Sequence, residues 1–187
     1  MQIDAKAPVV AKDKRVIKAP IEEIWRLLTE IDHWPGWNKA VDSARLDGPF
    51  ARGAAFRWKS GGMRIVCTLE DIAPMTRLVW TGKAIGTRAI HEWTLTRTRD
   101  GVRLSTSESF DGWLVRLLRK TMQRGLERAL ASWLADIKDC AERSASSSEA
   151  DESIPAEIAQ TTAPAVQPSL SGRVASLLAC LSDGRIA

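Results

Sequence analysis

One stretch limits what this chain can fold into: GWLVRLLRKTMQRGLERALASWLADIKDCAER, from Gly112 to Arg143. At 100° per residue, Val115, Leu118, Met122, Leu126, Ala129, Trp133, Ile137 and Cys140 fall on one side of a single long helix. Arg116, Lys120, Arg124 and Arg128 climb another face at four-residue steps. An apolar side that wide must be buried against something large. The strand-rich middle of the chain is the surface available to it.

That middle, residues 40–110, is written in short alternating runs. The runs are Val41–Leu46, Ala54–Trp58, Met63–Asp71, Arg77–Lys83, Arg88–Arg97 and Val102–Phe110. Turn signals such as Asp47-Gly48-Pro49, Ser60-Gly61-Gly62, Ala73-Pro74 and Asp100-Gly101 divide them. Gly82 reads as a further turn or strand irregularity. A first strand is expected around 12–18, partly exposed and near a sheet edge. Pro20 then opens a helix to about Thr29, with Glu22 and Glu23 at its positive end. Pro35 and Gly36 break it, so a second short helix or turn follows, with Trp34 and Trp37 at the elbow. Close-spaced consecutive strands imply an antiparallel meander of about seven strands, covered on one face by the long helix. The fold class is α+β.

The domain is expected to span 1–143. Residues 144–169 are small, polar and proline-punctuated, and read as a disordered linker. Residues 170–187 place Leu170, Val174, Leu177, Leu178 and Leu181 on a short amphipathic helix, too short to be stable alone.

Charge and composition remove several function classes. Residues 1–143 carry 25 basic and 18 acidic side chains, and 144–187 carry 2 and 5, so a basic domain precedes an acidic tail. An anionic ligand or membrane surface suits such a domain. No Lys/Arg block is dense enough for nucleic acid. Cys67, Cys140 and Cys180 are scattered, with neither metal spacing nor a disulfide framework. With two histidines, His33 and His91, no metal site is expected. Phosphate loops and dinucleotide fingerprints are missing, so no cofactor is expected. MQIDAKAPVV lacks an apolar signal core, and no apolar run is long enough to span a bilayer; the expected setting is reduced and cytoplasmic. No motif speaks to oligomeric state.

Several words in this order resemble the START-like superfamily, also called SRPBCC or Bet v 1-like, which includes polyketide cyclases and lipid-transfer domains. They are Ala19-Pro20-Ile21-Glu22-Glu23-Ile24-Trp25-Arg26-Leu27-Leu28 and Ile31-Asp32-His33-Trp34-Pro35-Gly36-Trp37-Asn38. Leu78-Val79-Trp80-Thr81-Gly82, His91-Glu92-Trp93, Glu108-Ser109-Phe110-Asp111-Gly112 and the long helix complete the set, over residues 12–143. The resemblance implies a helix-grip fold: a curved sheet wrapped around the C-terminal helix, with two short helices closing a cavity. It also implies an apolar or aromatic ligand, such as a lipid, polyketide or isoprenoid.

Strand alternation then nominates the lining. Trp58, Cys67, Trp80, His91 and Trp93 share the inward face, as do Thr106 and Glu108 beside Leu104 and Phe110. Met122, Leu126 and Trp133 face them from the helix. His91 with Glu108 could work as a general acid/base pair in a cyclase- or dehydratase-like enzyme. A strand histidine opposite a glutamate is also commonly a satisfied buried pair, and Cys67 is expected to be a small core residue. The primary expectation is binding or carriage of a hydrophobic small molecule. Enzymatic use of His91 is the alternative, and a membrane-surface role for Trp34 and Trp37 is a third.

Overall fold

The computed structural model describes residues 1–152, with side chains through Ser147. Strand β1 (Val9–Ile17) leads into helix α1 (Ile21–Thr29) and a 3-10 helix (Ile31–Gly36). Six strands follow: β2 (Ser43–Asp47), β3 (Ala55–Ser60), β4 (Met63–Ala73), β5 (Arg77–Ala84), β6 (Thr87–Thr98) and β7 (Gly101–Asp111). Helices α2 (Trp113–Leu117) and α3 (Arg119–Glu152) close the described chain. The seven strands form one curved antiparallel sheet in the order β1-β7-β6-β5-β4-β3-β2. The sheet grips α3 on its inner face, as the helix-grip reading expected. β1 is an edge strand, but it starts at Val9 rather than near residue 12.

The N-terminal half of this order has local causes. The Pro20 carbonyl accepts the N–H groups of Glu23 and Ile24, so the ring sits where no amide is missed. Arg26 ties Glu23 at 2.8 Å and Glu30 at 2.7 Å along the exposed side of α1. Ile21, Ile24, Leu27 and Leu28 form the buried side. The 3-10 helix then inserts Trp34, which is fully buried and donates its indole N–H to the Leu27 carbonyl at 3.2 Å. The Trp34 ring meets Phe56, Trp80 and Trp133 with centroids 5.1 to 5.8 Å away. Trp37 is half-buried, edge-on to Trp133 at 5.7 Å. Trp34 has no exposed face to offer a bilayer, so the membrane-surface role expected of it is corrected here, while Trp37 remains partly exposed.

The long helix is not one piece. Leu118, at φ −111° and ψ 30°, separates α2 from α3. The cause is tertiary. The Leu114 N–H bonds to the Gly86 carbonyl at 3.3 Å, and Gly112 lies so close to that carbonyl that a Cβ there would sit 2.1 Å from its oxygen. Gly112 also has φ 139°, where only glycine is comfortable. α2 is therefore pinned to the β5–β6 turn before α3 begins. A single helical wheel runs out of phase across that break, and Leu118 is exposed rather than on the core stripe. The stripe of α3 is instead Leu126, Leu130, Trp133, Leu134, Ile137 and Ala141.

α3 also runs on to Glu152, past the end expected at Arg143. Ser146 and Ser147 donate their hydroxyls to the carbonyls of Glu142 and Arg143, which keeps them compatible with helix. The rest of the expected linker, and the short helix expected over 170–187, lie outside the described residues.

Side chains of α3 and of the elbow finish both sheet margins. The Gln123 amide donates to the Val10 carbonyl at 2.9 Å and accepts the Val10 N–H at 3.3 Å. Lys18 N–H donates to Glu142 at 2.7 Å. At the other margin, Asp32 accepts the Leu46 N–H at 2.7 Å.

Candidate functional site: a hollow between sheet and helix

A cavity of about 380 Å³ lies between the inner face of the sheet and α3. Strand register explains why a hollow persists there. Phe56 pairs with Cys67, Cys67 with Gly82, Gly82 with Ala89, and Ala89 with Phe110, so one row crosses five strands. Its middle three members are small. Opposite them, α3 presents Thr121, Gly125 and Ala129 at four-residue steps, also small. Two low surfaces facing each other leave space that large neighbours on either side cannot fill.

The adjacent row carries the polar chemistry. Leu69 pairs with Trp80, Trp80 with His91, and His91 with Glu108. His91 is 6% exposed, lies 4.8 Å from the Trp80 ring and stacks on Trp93 at 4.9 Å and 27°. Its Nε2 is 2.7 Å from the Thr106 hydroxyl, and its Nδ1 is 3.4 Å from Glu108 Oε2. Burial drives the imidazole pKa down and the Glu108 pKa up from their ordinary values. Both shifts favour uncharged forms. We therefore assign a neutral carboxylic acid facing a neutral imidazole whose Nε2–H donates to Thr106.

Cys67 is not a nucleophile at neutral pH: burial pushes its thiol up to about 12, and the Trp58 indole lies against its sulfur. Trp58 and Trp93 have buried indole N–H groups without a hydrogen-bond partner among the described residues.

Of the residues nominated from sequence, Trp58, Cys67, Trp80, His91 and Glu108 stand in the cavity wall, facing Met122, Leu126 and Trp133 of α3. Trp93 and Thr106 do not reach it. They stand behind His91, fully buried, one stacked on the ring and one bonded to it. Sequence reasoning missed the small residues Gly82, Ala89 and Gly125, and the rim residues Met63, Lys83, Ala84 and Thr87. Strand parity could have found Ala89, which lies two residues before His91 and so faces the same way. Nothing local marks Gly82 as a floor position rather than an irregularity. Among the described residues, no group of three or more His, Cys, Asp or Glu side chains could hold a metal, and no helix is long and apolar enough to cross a membrane.

The family model for polyketide cyclase/dehydrase and lipid transport matches residues 8–142. The chain belongs to that family. The START-like resemblance of the sequence and this match cover nearly the same residues. Solved structures agree on the fold. Hypothetical protein jhp0584 from Helicobacter pylori is 18% identical, with a TM-score of 0.67 over 74% of this chain and 91% of its own. The ZhuI aromatase/cyclase from Streptomyces sp. R1128 is 13% identical, with a TM-score of 0.63 over 72% of this chain and 93% of its own. The di-domain aromatase/cyclase StfQ from the steffimycin biosynthetic pathway is 19% identical, with a TM-score of 0.62 over 74% of this chain and 52% of its own. No curated protein matches the chain in sequence.

Proposed function

We propose that this protein encloses a hydrophobic, ring-bearing small molecule between sheet and helix. One observation carries the reading: a mostly apolar hollow has one acid–imidazole pair, Glu108 and His91, in its wall. Trp58, Trp80 and Trp133 give flat faces for rings, and a protonated Glu108 supplies one donor for a ligand carbonyl or hydroxyl. Family membership and the aromatase/cyclase neighbours support a ligand of lipid or polyketide type. Native mass spectrometry of protein purified from its own host tests this, since a retained ligand reports its own mass. Displacement of an environment-sensitive hydrophobic dye gives a second readout. A protein that arrives empty and binds no such dye rejects the proposal.

The Glu108–His91–Thr106 chain favours a second reading, a cyclase- or dehydratase-like enzyme. There Glu108 would protonate a substrate carbonyl oxygen, and the unprotonated Nδ1 of His91, anchored through Thr106, would take the proton released from the substrate carbon and hand it back to Glu108. Cyclisation of a poly-β-ketone thioester by the wild type, abolished in His91→Ala with dye affinity kept, supports it. Equal turnover by the variant rejects it.

A further inference from the structure

Next to the cavity wall stands a group of side chains that the ligand site does not use. Ile85 is 82% exposed, Leu117 72%, Trp113 65% and Leu118 44%. They are one patch rather than scattered residues. A Cβ at Gly86 would lie 2.8 Å from the Trp113 ring, so the β5–β6 turn carrying Ile85 touches α2 directly. The hydrogen bond from Leu114 to Gly86 locks the two together. The same turn reaches the cavity, since Lys83, Ala84 and Thr87 line it, with Thr121 from the first turn of α3.

Cations interleave with these apolar residues. Arg116 and Arg119 flank the Leu117–Leu118 pair, with Lys120 and Arg124 following. Asp111 is the one carboxylate engaged here, held by Arg88 at 3.2 Å and Arg116 at 3.1 Å. Lys83, Lys120 and Arg124 form no ion pair among the described residues. Lysine is depleted from protein interfaces, and Lys83 and Lys120 stand beside these apolar groups. A tryptophan, leucines and an isoleucine spaced among unpaired cations suit an anionic bilayer instead. The apolar groups reach the acyl boundary while the cations stay with the headgroups.

We propose that the β5–β6 turn, α2 and the first turn of α3 dock on an anionic lipid bilayer, bringing the cavity mouth to the membrane surface. A hydrophobic ligand then exchanges between bilayer and cavity without crossing bulk water. The break at Leu118 is what makes the geometry possible, because it turns Leu117 and Leu118 outward.

The test uses the full chain and vesicles of phosphatidylcholine with roughly one-third phosphatidylserine at low salt. The wild type sediments with them and far less with phosphatidylcholine alone. Brominated acyl chains quench tryptophan fluorescence, and the quenching disappears in Trp113→Ser. The double variant Trp113→Ser, Leu117→Ser weakens binding more than about tenfold. Lys120→Glu with Arg124→Glu weakens it by about fivefold or more for each charge lost. Circular dichroism and dye affinity stay at wild-type values in both double variants, separating lost docking from lost folding and from failure of the cavity reading. Failure to sediment, or equal sedimentation by the Trp113/Leu117 variant, overturns the proposal. So does a lipid-free dimer that Trp113→Ser, Leu117→Ser dissociates, which would make the patch a contact between copies of the chain.

Discussion

His91 Nδ1 faces Glu108 Oε2 across 3.4 Å, and burial favours the uncharged form of each. Among the described residues no hydrogen bond is donated to the Glu108 carboxyl, so burial disfavours its ionised form. Its proton is part of the folded state.

Stability should therefore depend on pH in a way traceable to this pair. Burial raises Glu108 above its ordinary 4.5, so the native state holds a proton that the unfolded chain releases; this contribution fades as pH rises from 4.5. Burial lowers His91 below its ordinary 6.5, so the unfolded chain takes up a proton that the native state refuses; stability is lost as pH falls below 6.5. Between 4.5 and 6.5 the two slopes oppose each other, and above 6.5 only the Glu108 decline remains. Urea unfolding of Glu108→Gln should show a shallower loss above pH 6.5 than the wild type, by at most about 1.4 kcal/mol per pH unit. A pH-independent difference between the two proteins would contradict the assignment.

Gly82 tests the origin of the hollow. A Cβ there would meet Cys67 Sγ at 3.4 Å and Ala89 Cβ at 3.6 Å, ordinary contact distances. Gly82→Ala should fold normally, while Gly82→Leu should project into the cavity and lower dye affinity more than about tenfold. Unchanged affinity in the leucine variant would place the bound dye elsewhere.

Gly125 separates space from stability. Nothing lies within 4 Å of the position its Cβ would take. In a helix interior, Gly125→Ala should stabilise by about 0.5–1 kcal/mol in denaturant unfolding. Gly125→Leu should lower dye affinity without destabilising the fold. Loss of stability in the alanine variant would show that the helix needs glycine for another reason.

Trp34 holds elbow, sheet and helix together. Trp34→Phe removes the bond to the Leu27 carbonyl and should cost about 1–3 kcal/mol. Trp34→Ala should cost about 3–5 kcal/mol. Chemical denaturation measures both, and a loss below about 0.5 kcal/mol for the alanine variant would rule out the anchoring role.

Gly112→Ala should destabilise by about 1–3 kcal/mol, because its Cβ collides with the Gly86 carbonyl and its φ is unfavourable. Hydrogen exchange should show the amide of Leu114 losing protection first. Wild-type stability in this variant would mean that the β5–β6 turn is not what breaks the helix.

Much of this was legible before any coordinates. Alternation located the strands because one face of the sheet is buried, and parity alone put Trp80, His91 and Glu108 on the same side. Pro20 announced the first helix through backbone chemistry, but Pro35 and Gly36 did not end it: the helix stops at Thr29, and Pro35 sits inside the 3-10 helix that follows. The break at Leu118 was not legible. LVRLLRK contains no breaker, and the interruption comes from Gly112 meeting Gly86 across the fold. Gly82 was misjudged for a related reason: its role depends on which residues of β4 and β6 lie beside it. Trp34 shows the limit of composition, since a tryptophan beside a proline reads equally as a surface anchor or a core plug. Only packing decides between them.

Gln123 and Asp32 reach the same end from opposite sides of the molecule. Each spends a side chain on main-chain groups of a border strand, at Val10 and at Leu46. A ribbon tacked down at both borders leaves fewer main-chain groups along its selvage where a second molecule could stitch on another strand. Association by sheet extension is thereby discouraged, and the approach left most accessible is end-on, through the lip of the container.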